Sequence, residues 1–292
     1  MDKQEEDNLM NDYELSWNDS DIESKISLGM IRPGKYTNVS LLVSAFVGLI
    51  FFVIVYFSIE LLSKSQIPYV DIVNNRLVSG GAISYITLYF FCWGMGILFI
   101  KNQKLRTQRL ALSLAIVPQN EVYIVNQESA LVVLKRLRSI VDNSKNFILL
   151  NRIELAVSNL SNIGNISDVS SVLAAQERTD EEHIDSSFVL VNTLNWIIPI
   201  LGFIGTVLGL GMAIGGFGET VKDSSDIEAI KNSITGITSG LGTAFDTTLV
   251  ALVLVVILQF LASLQMSKER AFLDECTIYC NDNIISKLKI RK

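Results

Sequence analysis

Two long runs in the second half of the sequence, free of charge except for Asp246, carry polar side chains at depths where lipid would otherwise surround them. The later run opens GLGTAFDTTLVALVLVVILQFL, which sets Asp246, Thr247 and Thr248 side by side and then offers nothing polar before Gln259. An ionisable group inside a span is costly against lipid, so Asp246 is expected to face protein or water. Either it handles ions, or it sits near the outer interface where hydration makes it cheap, or it caps the deeper helix. A threonine hydroxyl relays a hydrogen bond without a permanent charge, so Thr206 in the earlier run and Thr248 in the later one would suit a shared interior path. Taken singly, each is equally the kind of threonine that bonds back to its own preceding turn. The earlier run reads NTLNWIIPILGFIGTVLGLGMAIGGFG, with Pro199 followed by Gly202, Gly205 and Gly209. Small residues three and four apart let helix backbones approach closely, so tight packing is the other expectation for this run.

The remaining inventory excludes most other chemistry. Cys92, Cys276, Cys280 and the single His183 are the only soft ligands, too scattered for a metal site of ordinary spacing. The two late cysteines are expected to be ordinary helix residues and His183 a surface residue. No phosphate-binding loop and no nucleophile with its base is legible, so the chain is not expected to be an enzyme. Hydrophobic residues make up 49% of the chain and charged ones 18%, against about 25% charged in soluble domains. A soluble enzyme is thereby disfavoured. The formal net charge is −6, and the acidic excess is concentrated in the first 27 residues, where Lys3 and Lys25 are the only cations. With no basic domain, nucleic acid is not an expected partner.

The elements that must hold these residues follow from hydropathy. Segments 36–60, 77–100, 186–218 and 236–267 are each apolar and long enough to cross roughly 30 Å of hydrocarbon as a helix. Basic residues precede the first span at Arg32 and Lys35, follow the second at Lys101, Lys104, Arg106 and Arg109, and follow the fourth at Lys268 and Arg270. This asymmetry puts both termini in the cytoplasm. Segment 101–185 is then a cytoplasmic insertion whose apolar residues recur at helical spacing, read as two or more helices that extend the second and third spans. Asn162, Gly164 and Asn165 suggest a turn within it. Segment 219–235 is expected to be a short periplasmic amphipathic helix with a capping pattern at its start, and 268–292 a cytoplasmic C-terminal helix. Residues 1–35, acidic and poor in apolar groups, are expected to be disordered. The fold class is therefore all-α: an integral membrane protein with four transmembrane helices and a helical cytoplasmic insertion.

The runs IPILGFIGTVLGLGMAI and GLGTAFDTTLVALVLVV resemble the two pore helices of the MotA/TolQ/ExbB proton-channel family, the larger subunits of ion-driven inner-membrane stators. By that resemblance Pro199, Gly202, Gly205, Thr206 and Gly209 fall on the proline and the Gly-x-x-Gly-Thr-x-x-Gly pattern of the first pore helix. Thr248 falls on the threonine of the second, with Ala244 and Leu252 at matching spacing. The four-span layout is similar to the flagellar-motor branch, and AFDTTL also looks like the stator subunits of the Zorya anti-phage defence system.

The resemblance implies a homopentamer in the bacterial inner membrane around two copies of a single-span partner of the MotB, TolR or ExbD kind, which supplies the membrane aspartate. It implies an ion pathway along Thr206, Thr248, Thr247 and Asp246, with Pro199, Gly202, Gly205 and Gly209 packing the pore helices. The cargo would be H+ or Na+, with no cofactor. Two other readings compete: a small-solute secondary transporter with broken glycine-rich helices, and a non-conducting membrane scaffold.

Overall fold

The computed structural model describes residues 15–26, 34–64, 68–114, 116–117, 127–163, 166–223 and 227–288. Nearly all of them are helical and none of them lies in a strand. The helices are α1 (Trp17–Ser20), α2 (Ile22–Ile26), α3 (Leu41–Ser63), α4 (Pro68–Ser79), α5 (Gly81–Ser113), α6 (Gln127–Ile140), α7 (Ile148–Ile163), α8 (Ile166–Ser187), α9 (Val189–Asp223) and α10 (Ile227–Asn283). Four helical stretches, Leu41–Ser63, Gly81–Ser113, Asp168–Gly215 and Ile234–Lys287, contain windows long and apolar enough to cross a membrane. The chain is an all-α, multi-pass membrane protein.

The chain divides into two compact units. The first takes in residues 44–98 and 189–263. Its long helices are apolar nearly all round, and they meet where small residues permit close approach. A Cβ added at Gly48 would lie 2.6 Å from the Trp93 Cα, and the Trp93 indole N–H donates to the Ser44 hydroxyl at 3.0 Å. Leu77, Leu88 and Cys92 are buried together against Phe51, Phe91 and Val250, which ties α3, α5 and α10 into one core.

Helix boundaries depart from the sequence expectation in three places. The second span was expected to open at 77, but 77–79 close α4 and a break at Gly80 and Gly81 precedes α5. Gly81 adopts φ +57°, a left-handed conformation that costs glycine little and other residues more. The outer segment 219–235 is not a separate short helix: 219–223 end α9 and 227–235 begin α10. Its expected capping residues 224–226 lie outside the described residues. Helix α10 then continues without interruption through the expected fourth span and into the expected C-terminal helix as far as Asn283, more than twice the ~20 residues a membrane requires. No proline falls between 227 and 283 to stop it.

The second unit comprises residues 1–43, 99–188 and 264–292. Helices α6, α7 and α8 pack in chain order, and Phe147, Ile153, Phe188, Phe272 and Cys276 are among its buried residues. The acidic N-terminal segment is not wholly without structure. Residues 17–26 form α1 and α2, and Trp17 is buried edge-on against Phe147 at 5.1 Å between ring centroids. Residues 1–14 and 27–33 of that segment lie outside the described residues. Of the expected turn in the insertion, Asn162 stands in the last turn of α7, and Gly164 and Asn165 lie outside the described residues. Cys276 and Cys280 are buried on α10, and His183 is exposed beside Tyr36.

Candidate functional site

Helices α9 and α10 lie antiparallel, and their seam is lined by the residues that the sequence analysis singled out. An added Cβ at Gly202 would stand 2.6 Å from the Ala251 Cβ, one at Gly205 2.5 Å from the Thr247 hydroxyl, and one at Gly209 3.0 Å from the Ala244 Cβ. Three successive turns of α9 therefore lack side chains where α10 comes nearest. Backbone carbonyls that a larger residue would cover are left within reach of the facing hydroxyls.

Thr248 Oγ1 donates to the Gly202 carbonyl at 2.9 Å. The hydroxyls of Thr206 and Thr248 share a hydrogen bond, and Thr206 Oγ1 also lies 3.2 Å from the Gly202 carbonyl and 3.3 Å from that of Ala244. Each hydroxyl has one proton and two lone pairs. With one proton committed to Gly202 and the other shared, the pair keeps acceptor capacity toward an incoming donor. The site is neutral, half-buried and rich in oxygen, suited to relaying a proton or coordinating a small cation but not to covalent chemistry.

Of the other two expected path residues, Thr247 also faces the seam, its hydroxyl 3.5 Å from the Gly202 carbonyl, and Asp246 points away from it. Thr247 is buried and donates to the Ala244 carbonyl at 2.8 Å, filling the space left by Gly205. Asp246 forms an ion pair with Arg76 of α4 at 3.0 Å and accepts from the Ser79 hydroxyl at 3.3 Å. Residues two apart on a helix do not share a face, so the carboxylate of Asp246 turns toward α4 while Thr248 turns toward α9. Pro199 stands inside α9 and lines a groove with Asn195 and Gln259.

The second unit holds charged residues that sequence reasoning took only as topological signals. Lys101 and Lys104 are wholly buried. Lys101 Nζ pairs with Glu269 at 3.1 Å, donates to the Ser187 hydroxyl at 2.7 Å and lies over the Phe188 ring at 4.1 Å. Lys104 Nζ pairs with Glu23 at 2.5 Å and donates to the carbonyls of Gly34 and Asn38. Asp21 stands just before α2, its carboxylate 3.8 Å from the Lys104 ammonium. Burial raises the Asp21 carboxyl above its ordinary pKa of 3.8, opposed by Lys104 and reinforced by Glu23. Arg152 and Asp180 form a further buried pair at 2.6 Å. The spacing of Lys101, Lys104 and Gln108 along one face of α5 was the available signal that these lysines point into protein.

An all-helical, multi-pass membrane protein with a hydroxyl pair between two closely packed glycine-rich helices is the class that this fold and site define. Within that class, residues 141–275 match the family model of the MotA/TolQ/ExbB proton channel family, a stretch that takes in α9 and α10 as far as Glu275. The family resemblance read from the two motifs is borne out. The chain matches no curated protein and no solved structure.

Proposed function

We propose that this chain is the multi-pass subunit of an ion-driven stator, which couples proton or sodium flow across the bacterial inner membrane to rotation or force. Five copies would surround two copies of a single-span partner of the MotB, TolR or ExbD kind, with both termini of each copy in the cytoplasm. The observation that carries this reading is the Thr206 and Thr248 hydroxyl pair between α9 and α10, inside the matched family domain. A neutral, oxygen-lined path lets a partner's membrane carboxylate bind and release its ion without being trapped in a salt bridge. Each unit charge crossing about 150 mV yields roughly 3.5 kcal/mol, enough for a conformational step. In this reading Thr206 and Thr248 line the path and Thr247 packs it. Asp246 acts from outside it by holding α4 to α10.

The test begins with gentle extraction of the chain from its native membrane together with whatever accompanies it. Native mass spectrometry is expected to give five copies with two of a small single-span protein. Reconstituted in liposomes, that complex should conduct, and Thr248→Val should abolish conduction while leaving the mass of the assembly unchanged. A monomer or dimer without a partner would overturn the stator reading in favour of a transporter or scaffold, and full conduction by Thr248→Val would remove the hydroxyl pair from the path.

A further inference from the structure

The seam between α9 and α10 carries a second polar layer. Asn195 Nδ2 donates to Gln259 Oε1 at 2.5 Å. The register is the one that joins Thr206 to Thr248: the step back from Thr206 to Asn195 equals the step on from Thr248 to Gln259, roughly three helical turns or 16 Å. Between the two layers the walls are apolar, with Ile200, Phe203 and Val256 lining a groove of about 1110 Å³, and Asn192, Asn195, Gln259 and Ser263 supply its polar atoms.

This layer has more hydrogen-bonding capacity than the protein fills. The amide pair uses one donor of Asn195 and one acceptor of Gln259, while the Asn195 Oδ1 is buried with no protein partner. Pro199 has no N–H to donate to the carbonyl of Asn195, four residues earlier in α9. The side-chain oxygen of Asn195 thus lacks a donor and its main-chain carbonyl lacks the usual helical one, beside the Gln259 amide, in helices otherwise suited to lipid. Carboxamides in such a place are costly unless they face protein or water.

We infer that Asn195 and Gln259 form a second station on the ion path, one that holds water and hands the hydrated proton or sodium ion across the apolar stretch to or from the hydroxyl pair. The inference rests on the pore reading proposed above and adds to it the two residues and the layer they occupy. The carboxamides carry no charge, so the station binds by dipoles and does not retain a cation. The freed Asn195 carbonyl and Oδ1 accept from the water, and the Gln259 amide N–H donates to it.

The natively extracted complex, reconstituted in liposomes, provides the test, with internal pH and, separately, sodium uptake as readouts. Asn195→Leu and Gln259→Leu are each expected to slow flux about tenfold, the effect of one unmet hydrogen bond to the ion's water. The exchange of both, Asn195→Gln with Gln259→Asn, rebuilds the amide pair and should restore flux. Parent-like flux in both leucine variants while Thr248→Val is blocked would overturn the station and leave the pore reading intact. Parent-like flux in Thr248→Val as well would overturn the pore reading and the inference with it. Should the leucine variants fail to assemble, Gln259→Cys decides: block of flux by a charged, water-soluble thiol reagent supports the station, and lack of reaction overturns it.

Discussion

Thr248 and Asp246 differ by two positions and by everything around them. Thr248 meets a carbonyl and a hydroxyl on α9, whereas Asp246 meets the guanidinium of Arg76, with side chains 28% and 40% exposed respectively. An ion pair this accessible is worth about 0–1 kcal/mol, so Asp246→Asn and Arg76→Gln are each expected to lower the melting temperature only slightly, non-additively, and to leave flux at the parent level. Flux that drops in Asp246→Asn with no change in melting would instead put this carboxylate on the path. The buried pair of Lys101 and Glu269 answers to different physics, because neither partner touches solvent. Removing one partner of a buried pair strands the other, at roughly 3–5 kcal/mol, whereas replacing both with apolar residues is far milder. Lys101→Met alone is therefore expected to unfold at markedly lower temperature than Lys101→Met combined with Glu269→Leu. Equal losses from the single and double variants would mean that the stranded charge is not the main cost, and that the hydrogen bonds Glu269 accepts from Thr37 and Gln265 matter as much.

Among the elements, the short helix α2 and the Asp21 that precedes it give the clearest pH dependence. Asp21 is buried and its carboxyl is raised above 3.8, with burial the leading cause. A carboxyl whose folded pKa is raised favours the folded state most fully at pH below 3.8, and that contribution is lost as the pH climbs through the folded pKa. Asp21→Asn keeps a side chain able to cap α2 and removes the buried charge. It should raise the melting temperature at pH 7, with the gain shrinking toward pH ~4; a gain that is constant with pH would assign the effect to something other than this carboxyl. The docking of α1 and α2 was illegible in the sequence for a definite reason. A segment of one charge sign looks solvated when its neighbours along the chain are counted, but Glu23 is answered by Lys104, far along the chain on α5. The four spans were legible because length and uncharged composition suffice to mark them. The break at Gly80 and Gly81 was not, since apolar residues continue on both sides of it, and neither was α4, whose Arg76 finds its partner only in three dimensions. At the site, the two motifs brought Thr206 and Thr248 together on paper because each lies in a recognisable pattern. Asn195 and Gln259 lie in no such pattern, and only the antiparallel register makes them partners.

At the scale of the whole molecule, a single copy leaves large aromatic side chains bare on different helices. Phe57 on α3 is 65% exposed, Phe203 on α9 65% and Phe260 on α10 63%. Exposure alone gives no reason to treat them differently, since all three sit in stretches apolar enough for lipid. Their surroundings do. On α3, Phe57 continues a bare apolar face made of Ile50, Val53 and Ile54, while Phe203 and Phe260 border the groove that holds the Asn195 and Gln259 amides. Lipid covers the first face without cost, but the second has polar groups that lipid cannot satisfy. It is therefore the face expected to meet other copies of the chain, the single-span partner and water. A photoreactive benzoylphenylalanine placed at each position in turn, and irradiated in the native membrane, separates the two environments. Replacement at Phe203 or Phe260 should give a ladder of cross-linked copies ending at five together with adducts of a small partner, and replacement at Phe57 should leave the chain uncoupled. A ladder from Phe57 with none from Phe203 or Phe260 would turn the assembly inside out: α3 would then face its neighbours, α9 and α10 would face lipid, and the hydroxyl pair would lie outside any central path.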